Sequence, residues 1–216
     1  MKTIINAQLF EFLASFYKIQ PGELGKIQEK AYTESIPIIP LDVVAFLKII
    51  LALKQPKNIL EIGCAIGFSA GLMAHCAPNA NITSIDRYPQ MITKAKQNFK
   101  TLGITNRVNL IEKDAIIALP ELVKEKKSFD IIFLDAGKGQ YINFLPHILE
   151  LLAPNAIFLA DNILQNSSIA LKESDIEKRQ RTIYRNMRKF LNSTFENLEC
   201  SILPIGDGIL FARRSS

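Results

Sequence analysis

At 216 residues and 48% apolar content, the chain has the size and composition of an ordinary soluble globular protein folded as one domain around a sizeable core. Its net charge of +5 and isoelectric point near 9.1 are compatible with an anionic partner and prove none. Cys64, Cys76 and Cys200 are scattered and lack CxxC spacing, which excludes a disulfide framework or a zinc site and reads as the reduced thiols of a cytoplasmic protein.

No repeat or low-complexity segment interrupts the chain. Residues 1–14 are amphipathic and contain Glu11, unlike a secretory signal. Residues 41–53 form the longest greasy run, but Asp42 and Lys48 break it and it is too short to span a bilayer, so no membrane partner is expected. Leu9, Phe12, Leu13 and Phe16 recur at helical spacing and predict a first amphipathic helix over 6–19, ended by Pro21-Gly22. A second helix is expected over 23–33. In Ile36-Pro37-Ile38-Ile39-Pro40 the two prolines force an extended path. This segment either links two elements or lies over a ligand, with Ile39 closing on it. A third helix, 41–54, ends before Pro56. Residues 1–56 thus form a helical cap and residues 57–216 the core of one domain.

From Asn58 the pattern alternates. Strands at 58–62, 81–85, 108–111, 131–134 and 156–160 are followed by helices at 67–76, 89–102, 116–123, 141–151 and 175–192. Repeated βα units predict an α/β fold with a parallel sheet and helices on both faces. The end differs: strands at 198–203 and 209–213 are joined by Pro204-Ile205-Gly206-Asp207-Gly208, a link that fits a hairpin and reverses the last strand. Seven strands with one reversed near the carboxyl end is not the arrangement of nicotinamide dinucleotide enzymes.

The first strand runs directly into Glu61-Ile62-Gly63-Cys64-Ala65-Ile66-Gly67-Phe68-Ser69. Glycine lets such a turn take positive φ and lets a ligand approach the backbone, and the helix after it offers free N–H groups, with Ser69 in its first turn. The dinucleotide fingerprint would be G-x-G-x-x-G. Here the spacing is E-x-G-x-x-x-G, with a carboxylate two residues before Gly63. A pyrophosphate is repelled by Glu61, whereas a cofactor carrying an ammonium group is welcomed. The spacing resembles the first motif of S-adenosylmethionine-dependent methyltransferases; a tight strand–helix turn without a ligand uses the same residues. Asp86 ends the second strand, where an acid can accept hydrogen bonds from ribose hydroxyls. Asp114-Ala115 ends the third, where Asp114 on its own reads as a helix cap.

The fourth strand lies in Phe129-Asp130-Ile131-Ile132-Phe133-Leu134-Asp135-Ala136-Gly137-Lys138. Its apolar run fits a strand covered on both faces. Ligands of open α/β sheets sit outside the carboxyl ends of the strands, which is where Asp135 and Lys138 fall. Asp161-Asn162 occupies the same position one βα unit on. Two carboxylates and an amide oxygen are hard ligands suited to Mg²⁺, Mn²⁺ or Ca²⁺. Taken singly, these residues also read as caps and a solvated lysine.

Together these motifs resemble the metal-dependent O-methyltransferase family that includes catechol and caffeoyl-CoA O-methyltransferases, over about residues 32–213. Within it, Ile36-Pro37-Ile38, Asp135-Ala136-Gly137-Lys138-Gly139-Gln140-Tyr141 and the basic Lys178-Arg179-Gln180-Arg181 look most like the short bacterial branch described as tRNA 5-hydroxyuridine methyltransferases. The resemblance implies a Rossmann-like methyltransferase sheet and a homodimer. It implies S-adenosylmethionine held by Ile39, Glu61, Gly63, Ser69 and Asp86, with Asp114-Ala115 by the adenine and Asp135 also in contact. It implies a metal on Asp135, Asp161 and Asn162, with Asp135 and Lys138 in the catalytic machinery and Lys138 taking the acceptor's proton.

A metal of this kind asks for vicinal oxygens, which a catechol and a 5-hydroxyuridine both offer. In the helix expected over 175–192, Ile176, Ile183, Met187, Phe190 and Leu191 share one face. Lys178, Arg179, Arg181, Arg185, Arg188 and Lys189 supply the rest, with Arg213 and Arg214 further on. A basic surface suits a phosphate backbone, and a solvated helix face explains the same charges. The leading expectation is methylation of 5-hydroxyuridine in tRNA; the alternative acceptor is a small phenol. A nicotinamide oxidoreductase needs the missing glycine, and a non-catalytic RNA-binding protein does not need Asp135, Lys138, Asp161 and Asn162 together.

Overall fold

The computed structural model describes residues 7–214. Three helices come first: α1 (Ala7–Ala14), α2 (Gly22–Thr33) and α3 (Leu41–Lys54). In α3 the buried residues Val43, Val44, Leu47, Ile50 and Leu51 make one apolar stripe, and Gln55 ends the helix in the left-handed conformation just before Pro56. Then follow β1 (Asn58–Ile62), α4 (Phe68–Cys76), β2 (Asn81–Asp86), α5 (Pro89–Thr101), β3 (Val108–Glu112), α6 (Ala115–Lys124), β4 (Phe129–Leu134), α7 (Tyr141–Leu151) and β5 (Leu152–Ala160). The last elements are α8 (Arg181–Asn197), β6 (Glu199–Leu203) and β7 (Ile209–Arg213).

The seven strands form one sheet in the order β3-β2-β1-β4-β5-β7-β6. Pairings from β3 through β5 are parallel, while β7 inserts between β5 and β6 and runs antiparallel to both. The expected architecture of a mostly parallel sheet with one reversed strand is therefore present. Strand parity divides the core. Ile59, Ile131, Phe133, Leu159 and Ile209 face the side covered by α2 to α5, while Leu60, Ile62, Ile132, Leu134, Phe158 and Leu210 face α6 to α8. Because the chain winds outward from β1 to β3 and then returns to place β4 on the other side of β1, the loops after β1 and β4 diverge. The crevice between them is the topological switch point.

Two expected helices differ. The first stops at Ala14, where the Ser15 hydroxyl donates to the Phe12 carbonyl and turns the chain. Residue 6 lies outside the described residues. The apolar face expected of this helix is exposed at Phe12, Leu13 and Phe16. The helix read over 175–192 begins only at Arg181. Before it the chain makes three short 3-10 turns at Ser168–Ala170, Glu173–Asp175 and Lys178–Gln180. The reason is local: Ile176 is extended, Glu177 at ψ 134° is also outside the helical region, and the Arg181 guanidinium donates to the Ile176 and Ser174 carbonyls at 2.9 and 3.1 Å. The face of α8 that packs is Tyr184, Met187, Phe190 and Thr194, while Ile183 is 40% exposed and Ile176 is buried from the connecting segment. The fifth strand starts earlier than expected, at Leu152, with its irregularity absorbed between Phe129 and Ile131 of β4.

The orientation of α8 can be tested. Phe190 is fully buried, edge-on to Tyr141 at 5.4 Å and to Phe158 at 6.2 Å. Phe190→Ala is expected to lower urea unfolding stability by about 3–5 kcal/mol. Ile183→Ala should change it by under about 1 kcal/mol. Equal losses would mean that α8 is rotated relative to the sheet.

Candidate active site

The site begins with backbone geometry. The ladder of the sheet continues past the strands: the Gly63 N–H donates to the Ile85 carbonyl, Asp135 N–H to Ile62 and Asp161 N–H to Leu134, at 2.9–3.0 Å. These bonds bring the residues after β1, β4 and β5 level with one another. Gly63 sits at φ +102°, and a Cβ there would stand 1.9 Å from the Asp135 carbonyl oxygen. Only glycine allows the loop after β1 to cross the end of β4 at this distance. Gly67 takes φ +78° as the N-cap of α4, where a Cβ would strike the Phe99 ring. Above these loops is a cavity of about 940 Å³, roofed on one side by Ile36–Pro40. Its size suits a cofactor and part of an acceptor.

The structure brings most of the residues picked out from the sequence to this cavity. Ile39, Gly63, Ser69, Asp86, Asp114, Ala115, Asp135, Asp161 and Asn162 all line it. Glu61 and Lys138 do not. Glu61 is fully buried beneath the wall, where its two carboxylate oxygens accept from Ser69 Oγ at 2.5 Å and from Ser84 Oγ. Burial pushes its pKa up to about 7; the two hydroxyl bonds oppose the shift, and the charges of Asp135 and Asp86 add to it. Asp86 anchors the glycine loop: one oxygen accepts the Cys64 and Ala65 N–H groups at 3.1 and 2.8 Å, and the other accepts Tyr88 N–H at 2.9 Å. Asp114 caps α6 by accepting the Ile116 N–H at 3.0 Å and pairs with the Arg87 guanidinium at 2.5 Å. Those two contacts hold its pKa below the ordinary value, the Ile116 N–H most.

Further along the same sheet end, after β4 and β5, stand Asp135, Asp161 and Asn162. Burial raises Asp135 to about 6, against the pull of Lys138. Burial first, and then the Asp135 charge, raise Asp161 to about 7, opposed by the Asn162 N–H and Lys138. Asn162 takes the left-handed conformation at φ 57°, and its N–H donates to Asp161 Oδ1 at 2.6 Å. Lys138 lies outside the cavity lining, its Nζ 3.3 Å from Asp207 Oδ2. Among the described residues, no group of three His, Cys, Asp or Glu is arranged to hold a metal. The candidate set is two carboxylates and one amide. These are hard oxygen donors, and the Asp135 charge adds to the cost of ionising Asp161, so the residues present fit a divalent cation of the Mg²⁺ type.

Sequence reasoning passed over three groups. The buried Tyr141 hydroxyl donates to the Asp161 carbonyl at 3.1 Å and accepts the Ala136 N–H at 3.3 Å, clamping the ends of β4 and β5 together. Ser84 holds Glu61. Asp207 meets Lys138 across 69 positions in sequence. Only Asp207 carried a local signal, an acid between two glycines in a turn.

Comparison with known proteins gives a consistent result. A family model described as O-methyltransferase matches residues 19–215. An Arabidopsis thaliana protein named as a candidate caffeoyl-CoA O-methyltransferase is 31% identical over 99% of this chain and 90% of its own length. A catechol O-methyltransferase of Niastella koreensis is 34% identical over 61% of this chain and 60% of its own length. Among solved structures, an SAH-bound methyltransferase of Podospora anserina superposes with a TM-score of 0.83 over the whole of both chains at 24% identity.

The buried acids give stability a pH dependence with a definite sign. Glu61, Asp135 and Asp161 have folded values of about 7, about 6 and about 7, above their ordinary values of 4.5, 3.8 and 3.8. Below those ordinary values the groups are protonated in both states and cost nothing. As pH rises toward about 7 the unfolded chain releases protons first, so the native state loses ground, and the full deficit stands above that. With divalent ions chelated, Asp161→Asn is expected to melt at least about 3 °C above wild type at pH 8. The difference should fall away at pH 3, below the ordinary value of 3.8, as followed by scanning calorimetry; a gain that is the same at both pH values would show that Asp161 is not raised by its surroundings.

Proposed function

The chain belongs to the O-methyltransferase family, and we propose that it transfers the methyl group of S-adenosylmethionine to a hydroxyl that has a second oxygen beside it. The observation that supports this most is that one cavity is lined both by the Gly63–Ser69 loop with Asp86 and by Asp135, Asp161 and Asn162. The SAH-bound neighbour supports the choice of cofactor.

In this reading each side chain has a task that follows from its bonds. The Ser69 hydroxyl donates inward to Glu61, so its lone pairs are free to accept from an ammonium group in the cavity. Glu61 thus acts on the cofactor through Ser69. Asp135 offers the same ammonium a carboxylate. Asp86 keeps the loop at its working distance and accepts a ribose hydroxyl on its remaining lone pair. Asp114 and Ala115 edge the adenine end, and Ile39, with its apolar neighbours from Ile36 to Pro40, excludes water over the reacting methyl group. Asp135, Asp161 and Asn162 would hold a Mg²⁺-type ion. When bound, such an ion supplies Lewis acidity that lowers the pKa of a hydroxyl in contact with it. Lys138, after leaving Asp207 and giving one proton to solvent, takes the hydroxyl proton on Nζ as the neutral amine, and the methyl group passes in line to the oxygen as its bond to sulfur breaks and S-adenosylhomocysteine leaves. Alignment of the two bound reactants is the main catalytic resource. The exposed apolar side chains of Phe12, Leu13, Phe16 and Ile19 support a homodimer. No helix among the described residues is long and apolar enough to cross a membrane.

Two acceptors present the vicinal oxygens. For 5-hydroxyuridine in tRNA, giving 5-methoxyuridine, the support is the basic run from Lys172 to Lys189. Arg179 and Arg185 in that run are paired with Glu177 and Glu173, but at 80% and 55% exposure such pairs are weak and exchange readily for phosphate. Arg181 and Arg188 are held more firmly, by backbone carbonyls. For a small phenol, the support is the apolar lining of the cavity and the names of the caffeoyl-CoA and catechol relatives.

Lys138→Ala should lower kcat by about 10²–10⁴ while calorimetry shows S-adenosylmethionine binding unchanged. Normal turnover would assign the proton to water or another group. To separate the acceptors, labelled S-adenosylmethionine and Mg²⁺ are incubated with bulk tRNA lacking 5-methoxyuridine and, in parallel, with catechol and caffeoyl-CoA. Label on a uridine derivative, lost in EDTA and with a steep salt dependence, supports tRNA. Label on the phenols alone assigns the small-molecule reading, and transfer that survives EDTA removes the metal from either.

A further inference from the structure

The turn that joins β6 to β7 is not accounted for by the roles above, although it reaches the site. Its residue Asp207 uses both carboxylate oxygens. Oδ2 receives Lys138 Nζ at 3.3 Å, and Oδ1 receives the Asn166 N–H at 2.6 Å. The backbone adds two more ties to the segment after β5, with Leu164 N–H donating to the Asp207 carbonyl at 2.9 Å and Ile163 N–H to Gly208 at 3.1 Å. The turn is itself anchored from the other side, because the Gly206 N–H donates to Asp42 Oδ2 at the start of α3 at 2.7 Å.

What Asp207 holds down is strained. Gln165, Asn166 and Ser167 follow one another at φ 51°, 52° and 67°, just after Asn162 at 57°. A non-glycine residue in this region is disfavoured, and a run of three persists only where neighbouring structure fixes it. The bond from Asn166 to Asp207 lies in the middle of that run. One carboxylate therefore joins two parts of the site that are remote in sequence: the ammonium after β4 and the left-handed turn after β5.

We propose that Asp207 is a positioning residue for methyl transfer, one oxygen fixing where the Lys138 side chain waits outside the cavity lining before it moves to the acceptor and the other fixing the turn that follows Asn162. The proposal rests on the O-methyltransferase reading of the site. It separates into two arms, because asparagine can still accept the Asn166 N–H through its carbonyl but cannot pair with an ammonium.

The test uses full-length wild type, Asp207→Asn and Asp207→Ala, with hydrogen exchange at the Asn166 amide, the Lys138 ¹⁵Nζ signal, and steady-state kinetics on whichever acceptor wild type methylates. In Asp207→Asn the Asn166 amide stays protected, the Lys138 ¹⁵Nζ signal is lost to solvent exchange, and kcat falls about 10- to 100-fold with KM for S-adenosylmethionine unchanged. In Asp207→Ala the amide protection is lost as well. In a Lys138→Ala background, Asp207→Asn changes kcat by less than about twofold, because the residue acts through the lysine. A full additional loss in that background, or a Lys138 signal indifferent to Asp207, overturns the first arm; unchanged Asn166 protection in Asp207→Ala overturns the second. Absence of methyl transfer by wild type to every acceptor would instead defeat the functional reading, and the two spectroscopic results would still decide whether Asp207 holds these groups.

Discussion

Negative charge buried at the ends of parallel strands is the constraint from which the architecture of the site follows. A carboxylate withdrawn from water is costly unless it is bonded or neutralised. Four acids stand here within neighbouring loops, and the chain meets each in a different way. Asp86 is surrounded by three backbone N–H groups. Glu61 is held by two hydroxyls. Asp135 and Asp161 have only a neighbouring N–H and the field of one lysine, and burial shifts both upward. The least compensated pair is thus the pair on the cavity wall. The loops that carry these acids are accordingly the ones with the tightest backbone, from the contact of Gly63 with Asp135 to the left-handed Asn162.

Much of this was legible in the sequence. The alternation of five-residue apolar runs with amphipathic stretches predicted every strand to within a few residues, because burial on both faces of a parallel sheet leaves little freedom of composition. The placing of Asp86, Asp135 and Asp161 at strand ends followed from the same pattern. The hairpin at Pro204–Gly208 was visible from its glycines.

Other features depended on contacts between distant residues. Glu61 was read as facing a ligand, yet it alternates with Leu60 and Ile62 and so shares the face of Ile59, beneath α4. Strand parity was the available signal, outweighed by the attraction of the motif. The late start of α8 was not visible because the Arg181 side chain competes for carbonyls that helical spacing alone would assign to the backbone. The charges in that region were read as a free basic face, whereas several serve first to shape the connecting segment. Asp207 and Lys138 share no local pattern.

The insertion of β7 between β5 and β6 also bears on how the protein is made. During synthesis the ribosome releases β5, then α8, then β6, and only afterwards the strand that seals the edge of β5. Until then Ile157–Ala160 presents an unpaired apolar edge beside the half-built site, the kind of surface on which nascent chains join one another. The late hairpin is at once the sheet's cover against aggregation and the carrier of Asp207, so a chain escapes that hazard in the same step that completes its active site.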